Sequence, residues 1–136
     1  MRSFSDTTLF AGDRVILPKS EFRLVQHHAI YDGEGFFYEN KAGVGVVCTP
    51  IAQFFQNVNE ITAIRRFNGT EHQRYRAIQR AQSLLGRRYS LTEFNCEHYA
   101  DYVQYGKARS RQVENVLGGV ALAVFVWAVS EIASNK

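Results

Sequence analysis

The sequence predicts an α+β fold built on a largely antiparallel sheet. Three observations carry this. Strand-like segments fill the first half of the chain and helix-like segments the second, so the two kinds of element are separated rather than alternated. The turn signal Asp32-Gly33-Glu34-Gly35 divides two strand-like runs, as in a hairpin. The chain has 136 residues, 46% of them hydrophobic, which suffices for one compact core.

Each element has a local reason. Asp13 to Ile16 is a short strand ended by Pro18. Arg23 to Tyr31 is a longer strand, rich in β-branched and aromatic residues, and Phe36 to Glu39 is its return. Gly43 to Cys48 forms a further strand. Pro50 suits the first turn of a short helix over Ile51 to Phe55, and Ile61 to Arg65 forms one more strand. Thr70, with Gln73 three residues later, makes a capping box that opens a helix from Glu71 to Leu85, closed by Gly86. Tyr89 to Thr92 is a connector. A last helix starts near Asn95 and stops before Gly106.

Composition narrows the function classes. The net charge is +3 and 21% of residues are charged. A mildly basic chain favours anionic lipid surfaces. Its cations (Arg65-Arg66, Arg87-Arg88, Lys107, Arg109, Arg111) are scattered, and no nucleic-acid motif surrounds them, so no nucleic-acid partner is expected. Cys48 and Cys96 are too few for a disulfide framework and fit no zinc spacing. The start, Met1 to Asp6, lacks the apolar core of a signal peptide. A reducing, cytoplasmic setting is expected, and Asn68-Gly69-Thr70 is then a turn and helix cap rather than a glycosylation site.

The tail differs from the rest. Asn115 to Ser130 is 16 residues without a charge, and its apolar side chains cover every side of a helix. Such a helix spans about 24 Å at 1.5 Å per residue, short of the roughly 30 Å hydrocarbon core. Trp127 and Lys136 suit interfacial anchors. The expected division is a catalytic domain over 1–112 and an apolar C-terminal helix over 113–136. That helix either associates with a membrane or packs on protein.

Two short runs hold the candidate chemistry. In Glu93-Phe94-Asn95-Cys96-Glu97-His98-Tyr99, Asn95 is a strong N-cap residue, so Cys96 occupies the first helical position. The positive end of the helix dipole and the nearby N–H groups favour a thiolate there, and those N–H groups could receive an oxyanion. Cys48 has no such surroundings and is expected to be structural. In Gln26-His27-His28-Ala29-Ile30-Tyr31, the two histidines point to opposite faces of a strand. Only one can readily reach Cys96, and periodicity does not choose between them. Glu39, on the return strand, is a candidate to orient the base, with Asn40 next in line. His98 lies two positions after Cys96 and faces away from it, so it is expected to pack or cap. His72, at a helix start, is incidental.

These runs carry a resemblance. The stretch His27 to Gly35 resembles the histidine box of lecithin retinol acyltransferase-like proteins, and Tyr89 to Tyr99 resembles their cysteine box. The stretch from Tyr105 to Val113 and the apolar tail are similar to the phospholipase A/acyltransferase branch, also described as H-Ras-like suppressors. The resemblance spans roughly residues 8 to 130. It implies a permuted papain-like (NlpC-type) fold in which the base precedes the nucleophile. It maps the base to His27 and the nucleophile to Cys96. The family's third position is commonly a second histidine and falls here on Glu39, a departure. The implied reaction is a two-step acyl transfer through an acyl-cysteine, from phospholipid to water, an amine or a lysolipid. It needs no metal or organic cofactor, and a membrane-seeking tail would bring the site to its substrate.

Two other readings compete. One keeps the nucleophile but makes the chain a cysteine peptidase or amidase of the permuted papain-like group. The other is a catalytically impaired membrane- or protein-interaction module. An apolar tail favours lipid over peptide, and an intact cysteine–histidine pair favours an enzyme.

Overall fold

A computed structural model describes residues 8–18, 26–56, 58 and 60–107. The five strands are β1 (Arg14–Pro18), β2 (Gln26–Tyr31), β3 (Phe36–Lys41), β4 (Gly45–Pro50) and β5 (Ala63–Arg65). The three helices are α1 (Ile51–Phe54), α2 (Glu71–Ser83) and α3 (Cys96–Tyr105). The strands form one sheet in the order β4-β3-β2-β1-β5, and every pairing is antiparallel. The α+β expectation holds. Element ends differ from the sequence reading by a few residues: β3 and β4 each run two residues further, and α2 stops two residues earlier. Pro50 occupies the N-cap position of α1 rather than its first turn.

Turn chemistry sets the β2–β3 register. The Asp32 carboxylate accepts hydrogen bonds from the Glu34 and Phe36 N–H groups at 2.7 and 3.0 Å. Gly33 and Gly35 adopt φ values of 94° and 96°, which a β-carbon disfavours. Ala29 then stands opposite Glu39 and Ile30 opposite Tyr38.

Both faces of the sheet are covered. On one, Ile30, Tyr38 and Val46 pack against α2 and α3 through Ala77, Ala81, Tyr99 and Val103. The Tyr99 hydroxyl donates to the Ala81 carbonyl at 2.8 Å, and the Arg80 guanidinium holds the Val103 carbonyl at 2.7 Å, which ties the two helices together. On the other face, Val15, Leu17, Ala29 and Phe37 meet α1. The Phe37 and Phe54 rings stack at 4.1 Å. Phe37 is fully buried, so truncating it to alanine costs about 3–5 kcal/mol.

A buried polar group pins β1 and β2 to α3. Arg14 is fully buried. Its guanidinium donates to Gln104 Oε1 at 2.9 Å, pairs with Asp101 and approaches His28 Nδ1 at 3.3 Å. A guanidinium only donates, so His28 Nδ1 is the acceptor and the ring proton sits on Nε2. Removing one partner would strand a buried charge at a cost of about 3–5 kcal/mol.

Among the described residues, no helix is long and apolar enough to cross a membrane. The apolar segment 115–130 and the division at 112/113 lie outside the described residues.

Candidate active site

Asn95 builds the start of α3. Its side-chain carbonyl accepts from the Glu97 and His98 N–H groups, each at 2.9 Å, while its own N–H donates to His98 Nδ1 at 2.9 Å. This reciprocal cap places Cys96 at the first helical position, as the sequence suggests. His98 is committed to the cap, in line with its expected structural role. The cap also takes two of the N–H groups the sequence offered for an oxyanion. Cys96 is 1% exposed.

The start of β2 meets this helix end. The Cys96 thiol donates to the Gln26 carbonyl at 3.3 Å, and the His27 ring lies close enough to the same sulfur for it to raise the ring's pKa. His27 Nε2 stands 2.8 Å from Glu39 Oε1. Glu39 is opposite Ala29, so it reaches His27 diagonally across the β2–β3 pair rather than directly. The structure thus brings Cys96, His27 and Glu39 together. Asn40, on the other face, donates instead to the Phe94 carbonyl at 3.0 Å.

Electrostatics separate the two histidines. Burial pushes the His27 pKa down, but hydrogen bonds and negative charge from Cys96 and Glu39 outweigh it and raise the pKa to about 9. Burial also opposes the Glu39 carboxylate. The hydrogen bond from His27 and the nearby Thr49 hydroxyl, with the charges of His27 and Lys41, still hold it below its ordinary range. His28 is fully buried, and burial with the charges of Arg14, Arg65 and His27 depresses its pKa to about 3. Its Nε2 lies 3.9 Å from Glu97 Oε2, beyond hydrogen-bond range. His27, not His28, faces the cysteine.

A cleft of about 460 Å³ opens beside His27 and Glu39. His27 and Glu39 line it with Leu17, Ala42, Val44, Phe54 and Val58, and Lys41, Thr49 and Gln53 add polar groups. Among the described residues, no group of three or more His, Cys, Asp or Glu side chains is arranged to hold a metal ion.

Other sequence readings resolve differently. Cys48 is exposed on β4, where partial burial and Asp32 raise its thiol pKa. His72 is exposed. Tyr89, in the connector before α3, has its hydroxyl pKa raised by burial and by the charge of the nearby Cys96 sulfur. Lys41 carries no motif that marks it in the sequence, whereas Tyr89 opens the run that resembles the cysteine box. The β2–β3 register is the signal that would have found Lys41.

Comparison with known proteins places the chain in a family. The family described as "Lecithin retinol acyltransferase" matches residues 8–109. Human "Phospholipase A and acyltransferase 2" is 28% identical over 127 residues, covering 78% of this chain and 78% of that protein. Human "Phospholipase A and acyltransferase 3" is 46% identical over 48 residues, 34% of this chain and 30% of that protein. Rat "Phospholipase A and acyltransferase 5" is 48% identical over 42 residues, 29% of this chain and 15% of that protein. With the match running from the loop before β1 to beyond α3, the chain belongs to the lecithin retinol acyltransferase family.

Proposed function

We propose that this chain is a thiol-dependent phospholipase A/acyltransferase with Cys96 as nucleophile, His27 as general acid–base and Glu39 as the group that orients His27. The observation that carries the reading is one imidazole that lies beside a helix-start thiol and is hydrogen-bonded to a buried carboxylate, at the edge of a partly apolar cleft. Relatives named as phospholipases and acyltransferases support the substrate class. The sheet with a cysteine-bearing helix also accords with the permuted papain-like arrangement.

A high His27 pKa favours a thiolate–imidazolium pair. The Cys96 thiolate attacks the ester carbonyl carbon of a phospholipid. The carbonyl–oxygen bond to glycerol breaks, and the departing alkoxide takes the proton of His27. This leaves a lysophospholipid and a thioester on Cys96. Neutral His27 then takes a proton from water, an amine or a lysolipid hydroxyl as that group attacks the thioester. A fatty acid, amide or ester leaves, and the ion pair returns. Glu39 holds the ring through Nε2 and stabilises its charged form.

The apolar segment after residue 112 is assigned to membrane association of a cytoplasmic enzyme, which would keep the cleft near its lipid. Two measurements test these assignments. In an assay of fatty acid released from phosphatidylcholine, Cys96→Ala should lose at least about a thousandfold in rate and Cys48→Ala almost nothing; equal effects would refute the nucleophile. Deleting 113–136 should abolish flotation with phosphatidylcholine vesicles, and unchanged flotation would refute the anchor.

A further inference from the structure

A lysine lines the cleft that His27 and Glu39 open onto. The register sets Ala29 opposite Glu39 and Ile30 opposite Tyr38. Past the last paired residues, Lys41 lies two residues beyond Glu39 on β3 as His27 lies two before Ala29 on β2, so both stand at the same end of the strand pair. Alternation along β3 puts Lys41 on the same face as Glu39, and both line the cleft. Lys41 is half-buried and forms no ion pair among the described residues. Glu39 feels its charge but gives Oε1 to His27. Thr49 and Gln53 add a hydroxyl and an amide to the same cleft, while Leu17 and Phe54 add apolar wall.

We propose that Lys41 binds the phosphate of the substrate, so that the site selects glycerol esters bearing a phosphodiester over uncharged esters of the same acyl chain. This assignment rests on the function proposed above. An ammonium is a compact charge with three rotatable donors, suited to the two unesterified oxygens of a phosphodiester. In a glycerophospholipid that phosphate is joined to the glycerol that carries the scissile ester. A cation lining the same cleft as His27 therefore meets the phosphate while the ester carbonyl lies over Cys96 and the acyl chain follows the apolar wall. A neutral ester offers Lys41 no charge to pair with.

The rival role for Lys41 is to keep Glu39 ionised, which would act on every ester alike. The ratio of kcat/KM for phosphatidylcholine to that for diacylglycerol, both in the same nonionic mixed micelles, separates the two roles. In Lys41→Met and in Lys41→Gln this ratio should fall about tenfold, the scale of one charge-assisted hydrogen bond. In Lys41→Arg it should stay within about twofold of the parent ratio, since a guanidinium also binds phosphate. A ratio unchanged in the Met and Gln variants, whatever happens to the separate rates, overturns the phosphate assignment while the proposed function stands. A parent chain that cleaves neither ester overturns both.

Discussion

His27 and His28 are consecutive residues of one strand, yet their surroundings make them opposite in chemistry. His27 opens onto the cleft between a thiol and a carboxylate, and its pKa rises to about 9. His28 is sealed between the sheet and α3 beside the Arg14 guanidinium, and its pKa falls to about 3. Residue type is identical and the backbone is continuous. The period-two alternation of a strand sends the two rings to different faces, and the charges waiting there decide which can carry a proton.

Their effects on folding also have opposite signs. His27 holds its proton more tightly folded than unfolded, because its pKa lies above the ordinary 6.5. That stabilisation is complete below about pH 6.5 and fades as pH rises through about 9. His28 resists protonation in the folded state. It therefore costs stability as pH falls below about 6.5 towards 3, where the unfolded chain takes up a proton that the folded chain refuses.

The largest expected break in this contrast is His27→Gln, which should lower kcat/KM for acyl release by about 10²–10⁴-fold, the usual scale of general acid–base catalysis. His28→Gln should stay within a few-fold of the parent rate. If the two variants swapped these effects, the assignment of the base would be wrong. A smaller change is expected for Glu39→Gln: about a tenfold loss in rate and a displaced pH profile. Removing the carboxylate charge removes one of the causes that raise the His27 pKa. The alkaline limb of kcat/KM, expected near pH 9, should therefore move to lower pH, and a limb that stays in place would show that Glu39 does not tune His27. The smallest effect concerns stability. His28→Gln, measured by urea unfolding, should lose about 1–2 kcal/mol at neutral pH through a poorer fit to Arg14. It should also flatten the loss of stability between pH 6.5 and 4. An unchanged slope there would place the acid sensitivity elsewhere.

Much of the site was legible because its signals are local. Asn95 before Cys96 announces a helix start, and Asp32-Gly33-Glu34-Gly35 announces the hairpin that carries Glu39 back towards His27. The choice between His27 and His28 was not legible from periodicity, because both faces of the sheet are packed and both flanking sets of residues are apolar. What separates them comes from far along the chain: Arg14 and Asp101 on one side, Cys96 on the other. The resemblance of the histidine box supplied that choice instead. Lys41 went unnoticed for a related reason. Its significance lies in a cross-strand register, which fixes position only once the turn geometry is known. Cys48 sits on an apolar-looking strand, yet that strand is an edge of the sheet and its middle is exposed.

The central claim is that the ring facing the cleft serves Cys96 as an acyl-carrying nucleophile. Intact-protein mass spectrometry after brief mixing with phosphatidylcholine, followed by peptide mapping, tests it most directly. A mass gain of one acyl chain, located on Cys96, removed by hydroxylamine and absent in Cys96→Ala, is the expected result. Acyl release from phosphatidylcholine that persists in Cys96→Ala, or an adduct mapped to Cys48, would contradict it.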